Sequence, residues 1–327
     1  MSGDLATEPP PAPSLHGPWA ERMAALCEET GDFQPLGARH WAFFHDDGPV
    51  LVVTFETLDQ ILARGEPEAQ VPLGLDIARA RGWSHLCLIA DGPTYWRDRA
   101  IYRHFDRLVD DAFFEDFDRV AFYGAGAAGY AACAYSVAAP GATVLAVQPR
   151  ATLDPALAGW DNRDRPLRRL NFTDRYGYAP DMTEGAARVF VVHDPAERLD
   201  AMHAALFARP HVTMLRCRHM GADVAGALAQ MGVLPRLIEA AAEGTLTAGG
   251  FHRLYRMRRR HGPYLRAVES RLEQEGRLWR AALWCRGVTR RMSAPRFRRR
   301  LAELEPELAR RGLALPPLPA AATAPAD

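Results

Sequence analysis

The sequence predicts an α/β fold: a doubly wound, mostly parallel sheet with crossover helices, followed by a C-terminal helical extension. Three observations predict it. From about residue 38 to 232, short β-branched or apolar runs alternate with helical periodicity, the pattern of strand–crossover–strand units. From roughly 233 the strand signals stop and only helical spacing remains. The chain has 327 residues, 48% of them hydrophobic, which suffices for one large domain and an appendage.

Residues 1–37 read as a partly disordered leader. "MSGDLATEPPPAPSLHGPW" is acidic and proline-rich and lacks the apolar core of a signal peptide. "VLVVTFE" (50–56) is the first buried strand, and "SHLCLIA" (84–90) the second, reached through the helical "LGLDIARARGW". Within 95–114, Ile101, Phe105, Leu108, Ala112 and Phe113 fall on one helical face. "DRVAFYG" (118–124) is the third strand, followed by the small-residue helix "GYAACAYSVAAP"; "ATVLAVQP" (142–149) is the fourth. Residues 150–186 lose periodicity and gain Pro, Gly, Asn and Asp, which marks an excursion or cap. "ARVFVVHD" (187–194) resumes the sheet. The helix "ERLDAMHAALFA", the strand "HVTMLRCR" (211–218), His219 and a helix to about 231 complete it. In the extension (233–312), Leu265, Val268, Leu272, Trp279 and Leu283 recur at helical spacing, and the Pro/Ala-rich tail from 313 reads as disordered.

Composition narrows the chemistry. All 40 basic residues are arginine, with no lysine anywhere. A Walker A loop, a pyridoxal Schiff base and a Ser-x-x-Lys site each require a lysine amine and are excluded. The five cysteines are scattered and lack CxxC spacing, which fits small buried side chains in a reducing cytoplasm and gives no disulfide framework or zinc site. His193, His203 and His211 lack ligand spacing with a shared partner, so no metal is expected; no cofactor is expected either. No stretch approaches the roughly 20 apolar residues of a spanning helix. The charge is balanced overall but not locally: residues 251–311 hold eighteen arginines against six glutamates, +12. Such a stretch could contact a polyanion, since guanidinium forks grip phosphate. The opposed charges of body and tail favour the other reading, in which the stretch packs on the protein's acidic remainder or on a second copy in a homodimer.

The turn "FYGAGAAGYAA" (122–132) has two readings. Gly124-x-Gly126-x-x-Gly129 after a strand and before a helix is a dinucleotide fingerprint. That motif should be followed by an acid at the end of the next strand, and here the strand ends Gln148-Pro149-Arg150. Arg150 leaves an NADP-like 2′-phosphate as the form this alternative takes. In the other reading the turn is a strand-to-helix corner of the type G-x-nucleophile-x-G, where small residues are needed two before and two after the corner. Gly124 and Ala128 occupy those positions about Gly126.

The segment resembles "YGxSxGGYAA", the nucleophile elbow of α/β-hydrolase-like proteins, with Gly126 in the serine's place. The resemblance covers roughly residues 38–232 and implies further site residues in the order nucleophile, acid, histidine. It implies Asp194 or Asp200 as the acid and His219 as the histidine. It also implies an oxyanion-like pair of backbone N–H groups from Ala127 and from Phe55 in "TFE". Taken singly, an Asp-Pro is a turn and a histidine after a strand is a loop residue; the order around an elbow gives them the second meaning. Trp96 and Trp160 line a pocket or belong to the core or cap.

Glycine offers neither Oγ nor Sγ for acyl transfer, while it adopts the positive φ of an elbow without strain. The expectation is a pseudo-enzyme, or a protein binding a small-molecule or glycan-like ligand in a hydrolase-shaped pocket. The enzymatic alternative is an ester hydrolase with displaced catalytic groups. The chain is also similar to α-proteobacterial proteins named phosphoadenosine phosphosulfate reductases. That chemistry needs an SGGxDS-type phosphate loop and a C-terminal Glu-Cys-Gly nucleophile. Neither occurs here, and Cys285 lies in "LWCRGV".

Overall fold

The structure, a computed structural model, describes residues 17–28 and 30–317. The outer parts of the leader and tail, 1–16 and 318–327, lie outside the described residues. The chain divides into two compact units after Tyr255.

The first unit is built on eight strands: β1 (Gly31–Leu36), β2 (His40–His45), β3 (Val50–Thr57), β4 (Ser84–Ala90), β5 (Arg119–Ala125), β6 (Thr143–Val147), β7 (Arg188–His193) and β8 (Val212–Arg216). Its helices are α1 (Gly17–Cys27), α2 (Leu58–Leu62), α3 (Leu73–Arg81), α4 (Arg99–Asp110), α5 (Ala127–Tyr135), α6 (Pro155–Ala158), α7 (Ala179–Met182), α8 (Arg198–Leu206), α9 (Val224–Gln230), α10 (Leu234–Ala242) and α11 (Ala248–Leu254). The strands form one sheet in the order β1-β2-β4-β3-β5-β6-β7-β8. Only β2 runs against its neighbours; every other pairing is parallel. This is the doubly wound, mostly parallel sheet that the strand–helix alternation predicts. With its strand-to-helix corner after the central β5, it is of α/β-hydrolase type.

Both faces of the sheet are covered, which is why its strands read as unbroken apolar runs. Leu51, Val53 and Phe55 of β3 enter one core with Phe122, Val144 and Val191, under α4 and α5. Val50 and Val52 point the other way, into a core with Tyr123, Leu145, Val192 and Leu215. That second core is closed by Leu234, Leu237, Ile238, Phe251 and Tyr255. The helices α10 and α11, expected in the extension from 233 on, therefore complete the sheet domain.

The leader also yields structure. Trp19, Met23 and Cys27 of α1 are buried at a spacing of four, with Trp19 edge-on to Phe33 and Trp41. The strand β1 pairs with β2 as an edge hairpin. Residues 17–36 thus belong to the sheet domain and not to a disordered leader. The sequence of this strand, "GDFQPL", carries no strand signal because it is polar and contains a proline, a residue that edge strands tolerate.

The second unit is a helical cluster of α12 (Gly262–Gln274), α13 (Leu278–Arg291) and α14 (Pro295–Arg310). Leu265, Cys285, Val288 and Phe297 form one core, and Ala281, Ala282, Leu304 and Leu308 a second. The helical spacing read across 262–292 is interrupted at Gly276, whose φ of +68° ends α12. The Gly276 N–H donates to the Glu273 carbonyl and that of Arg277 to the Leu272 carbonyl, each at 2.8 Å, the two bonds of a Schellman stop. Among the described residues no helix is long and apolar enough to cross a membrane. All five cysteines are buried and unbridged.

Candidate functional site

The strand β5 delivers the chain to Gly126, which has φ +61° and ψ −118° and caps α5. Its N–H donates to the Val147 carbonyl at 2.9 Å, and its carbonyl accepts from Tyr130 N–H at 3.1 Å. The three glycines of the turn do different work. A Cβ on Gly124 would lie 2.1 Å from the Ala128 carbonyl oxygen; one on Gly129 would lie 3.2 Å from the Gly124 oxygen and from Pro149 Cα. At Gly124 strand end and helix pass too closely for a side chain, and at Gly129 a Cβ would fit only if its neighbours shifted slightly. A Cβ on Gly126 would meet nothing within 4 Å. The corner therefore has an elbow's positive φ and an open space where a side chain would project, and it has no side chain.

Asp194, directly after β7, is fully buried. One carboxylate oxygen accepts from Ala196 N–H at 2.8 Å; the other accepts from Met220 N–H at 2.7 Å and Gly221 N–H at 2.9 Å. Its partners on the last loop are the two peptide groups that follow His219. With His219 at φ +66° and Gly221 at φ +77°, successive N–H groups converge on one oxygen, the concave backbone arrangement that suits an anion. The structure thus brings Asp194 to the loop of His219 but not to its ring. Among the described residues, no hydrogen bond of the His219 imidazole is present. The ring is half-buried.

Asp200, on α8, is buried and goes elsewhere. Its carboxylate accepts from Arg163 Nη1 at 2.5 Å, Arg150 Nη1 at 3.1 Å and Gln148 Nε2 at 2.5 Å. Gln148 also receives Val224 N–H at 2.7 Å and donates to the Ala222 carbonyl at 3.1 Å. It thereby ties the end of β6 to the segment after His219. Arg163 grips Asp161 through Nε and Nη2, at 3.0 and 2.6 Å. The ring of His203 accepts at Nδ1 from Ala151 N–H at 3.1 Å, which leaves the proton on Nε2 to donate to Asp161 at 3.0 Å. Burial lowers the His203 pKa to about 4 against the opposing pull of Asp161. Burial also raises the Asp161 carboxyl, but its hydrogen bonds from Arg163 and His203 outweigh this and hold it below the usual carboxylate range. Tyr95 O–H donates to Asp164 at 2.5 Å, and Arg150 Nε lies 3.8 Å from both Asp161 and Asp164.

Ala127 opens α5, where its N–H has no acceptor within the helix. Phe55 is placed differently. It lies inside β3 opposite Leu88, with its ring buried edge-on to Trp96 at 5.5 Å. The strand continues to Thr57, which caps α2. Phe55 is therefore a core residue of the strand, not a residue of the loop beyond it. Trp96 is likewise core, and Trp160 covers His203 with ring centroids 4.6 Å apart. Arg150, weighed for a 2′-phosphate, is engaged by Asp200.

Asp161, Arg163, Asp164 and Tyr95 escaped sequence reasoning. The only signal available was the charge density of "WDNRDRP" in an otherwise aperiodic segment. A cavity of about 570 Å³ is lined by Arg119, Val120, Thr143 and Arg188 at the opposite ends of β5, β6 and β7 from the elbow. Among the described residues no group of His, Cys, Asp and Glu side chains has a metal-holding arrangement.

No family model matches the chain, and a search of the curated proteins finds no match. Solved structures similar to it include Est1E from Butyrivibrio proteoclasticus, with 11% identity over 64% of this chain and 97% of that one and a TM-score of 0.41. The mouse α/β hydrolase domain-containing protein 10 has 11% identity over 66% and 99%, with a TM-score of 0.40. The glycosylation-associated Gap123 complex from Streptococcus agalactiae has 12% identity over 65% and 46%, with a TM-score of 0.41.

Proposed function

We propose that this α/β-hydrolase-type chain binds a small polar ligand over the Gly126 corner without performing ester hydrolysis. One observation carries the reading: position 126 has the conformation and free space of a nucleophile position, and no atom there can attack. The hydrogen bonding around it supports the same reading. Asp194 and Asp200, the two candidate acids, are engaged by backbone N–H groups and by arginines. His219 therefore lacks the carboxylate that would orient it and stabilise its protonated form. Gly126, Ala127 and His219 are proposed as contacts of the ligand, with Arg150, Tyr95 and Asp164 walling its approach. No side chain singles out a glycan, and the proposal is confined to a small polar molecule.

A thermal-shift screen against a small-molecule library, followed by mass spectrometry of each hit, tests it. The reading expects hits that raise the melting midpoint, are recovered unchanged, and bind at least tenfold more weakly to His219→Ala. Hits consumed during incubation would favour the second reading, a hydrolase in which His219, left without a partner, activates water.

For residues 251–311 the proposal is contact with a polyanion. Six ion pairs within the second unit engage five of its six glutamates, among them Arg300–Glu273, Arg296–Glu269 and Arg311–Glu307. Arg266, Arg280, Arg290, Arg298 and Arg299 are exposed and form no ion pair among the described residues. Retention on heparin that falls steeply with salt, and disappears when 256–327, the second unit, is deleted, is the expected outcome.

A further inference from the structure

A group of arginines between α4 and the segment after β6 stands outside the site over Gly126. Arg97 is 8% exposed. Its Nε and Nη1 donate to the main-chain carbonyls of Asn171 and Arg175, each at 2.7 Å. Its guanidinium lies over the rings of Tyr102 and Phe172, at 4.9 and 5.6 Å. No carboxylate pairs with it among the described residues. A buried guanidinium in that condition is costly, and carbonyl dipoles and aromatic faces offset only part of the cost.

Arg99 and Arg103 repeat the anomaly on α4. They stand four residues apart, both exposed and neither in an ion pair among the described residues. Like charges at that spacing disfavour a helix. Arg99 is also the first residue of α4, at the positive end of the helix dipole, where a cation is disfavoured; the capping Asp98 carboxylate accepts Ala100 N–H there at 2.7 Å and forms no ion pair with Arg99 among the described residues. Arg97, Arg99 and Arg103 line a cavity of about 370 Å³ with Tyr102, Asn171, Asp174 and Arg175. Arg175 is already held bidentately by Asp106, at 2.7 and 2.8 Å. Asp174, the one carboxylate of the lining, accepts from Arg175 N–H at 2.7 Å.

We propose that this cavity binds a tetrahedral oxyanion, a phosphoryl or sulfate group, between Arg97, Arg99 and Arg103. Guanidinium forks match the oxygens of such a group in pairs, and its charge removes three otherwise unfavourable placements at once. The inference does not rest on the reading of Gly126.

Calorimetric titration of the full chain with inorganic phosphate, sulfate and chloride at fixed ionic strength tests it. The expected result is saturable binding of phosphate or sulfate at one site per chain, with chloride silent. In the Arg99→Gln/Arg103→Gln double variant that binding weakens at least tenfold, while the melting midpoint without ligand stays equal to or above that of the wild type. Arg97→Gln should abolish binding, but its burial makes folding part of the readout, so the surface pair decides. Phenyl phosphate binding more tightly than inorganic phosphate marks an esterified ligand, and equal affinities mark the free ion; both keep the site. Absent saturation, or affinity within twofold of wild type in the double variant, overturns the proposal.

Discussion

Two glycines two residues apart illustrate how differently one residue type is used in the turn. At Gly124 the constraint is contact: a Cβ would stand 2.1 Å from a carbonyl oxygen, so strand and helix must separate to admit it. At Gly126 the constraint is conformation alone, since the space is open but φ is +61°. Gly126→Ala should therefore cost about 1–3 kcal/mol of backbone strain. Gly124→Ala should cost more than that, or prevent folding. Denaturant midpoints of the two variants check the ranking. Asp194 makes a third case, because its buried carboxylate satisfies three backbone N–H groups. Asp194→Asn turns an amide donor toward some of those donors and should cost about 1–3 kcal/mol. Hydrogen exchange at Met220 and Gly221 should accelerate in this variant, the local sign that the loop of His219 has been released.

At the scale of elements, the segment between β6 and β7 is held to the sheet by apolar packing, with Leu153 and Phe172 in the core, and by a cluster of charges. Asp161, Asp164 and Asp200 engage Arg150, Arg163, Tyr95 and His203 there. Asp200→Asn removes a buried acceptor from two guanidinium groups. Because Arg163 is 33% exposed, solvent screens part of the loss, and about 2–3 kcal/mol is expected, toward or below the low end for breaking a buried pair. Limited proteolysis should then cut first within 150–170 while the sheet remains protected. This is also where the sequence was least legible. Six strands could be read because each carries a run of β-branched or apolar residues, buried throughout in β4 and β6 and nearly so in β3, and only half-buried in the edge strand β8. The strand β2, with histidines at both ends, and the polar β1 carry no such mark. The turns at Gly126, Asp194 and His219 were legible because each follows the end of a strand. The partners of each acid were not legible, because Asp194 meets groups 26 and 27 residues away and Asp200 groups 37 to 52 away.

Across the whole molecule, acid should unfold the chain through its buried imidazoles. Burial lowers the pKa of His40, His104 and His203 to about 4 and that of His85 to about 3. In the unfolded chain each lies near about 6.5. The unfolded state therefore binds the extra protons first. Stability is full above pH 6.5 and falls as the pH drops toward 4, each histidine contributing at most about 1.4 kcal/mol per pH unit. Urea unfolding at a series of pH values should show this slope, and a flat profile from pH 7 to 4.5 would refute it. The central claim is the chemical silence of the corner at Gly126, and hydrolysis of p-nitrophenyl acetate by the purified full chain measures it most directly. The account predicts a rate equal to that of buffer with an inert protein, unchanged in His219→Ala. A rate well above that background, lost in His219→Ala, would contradict it.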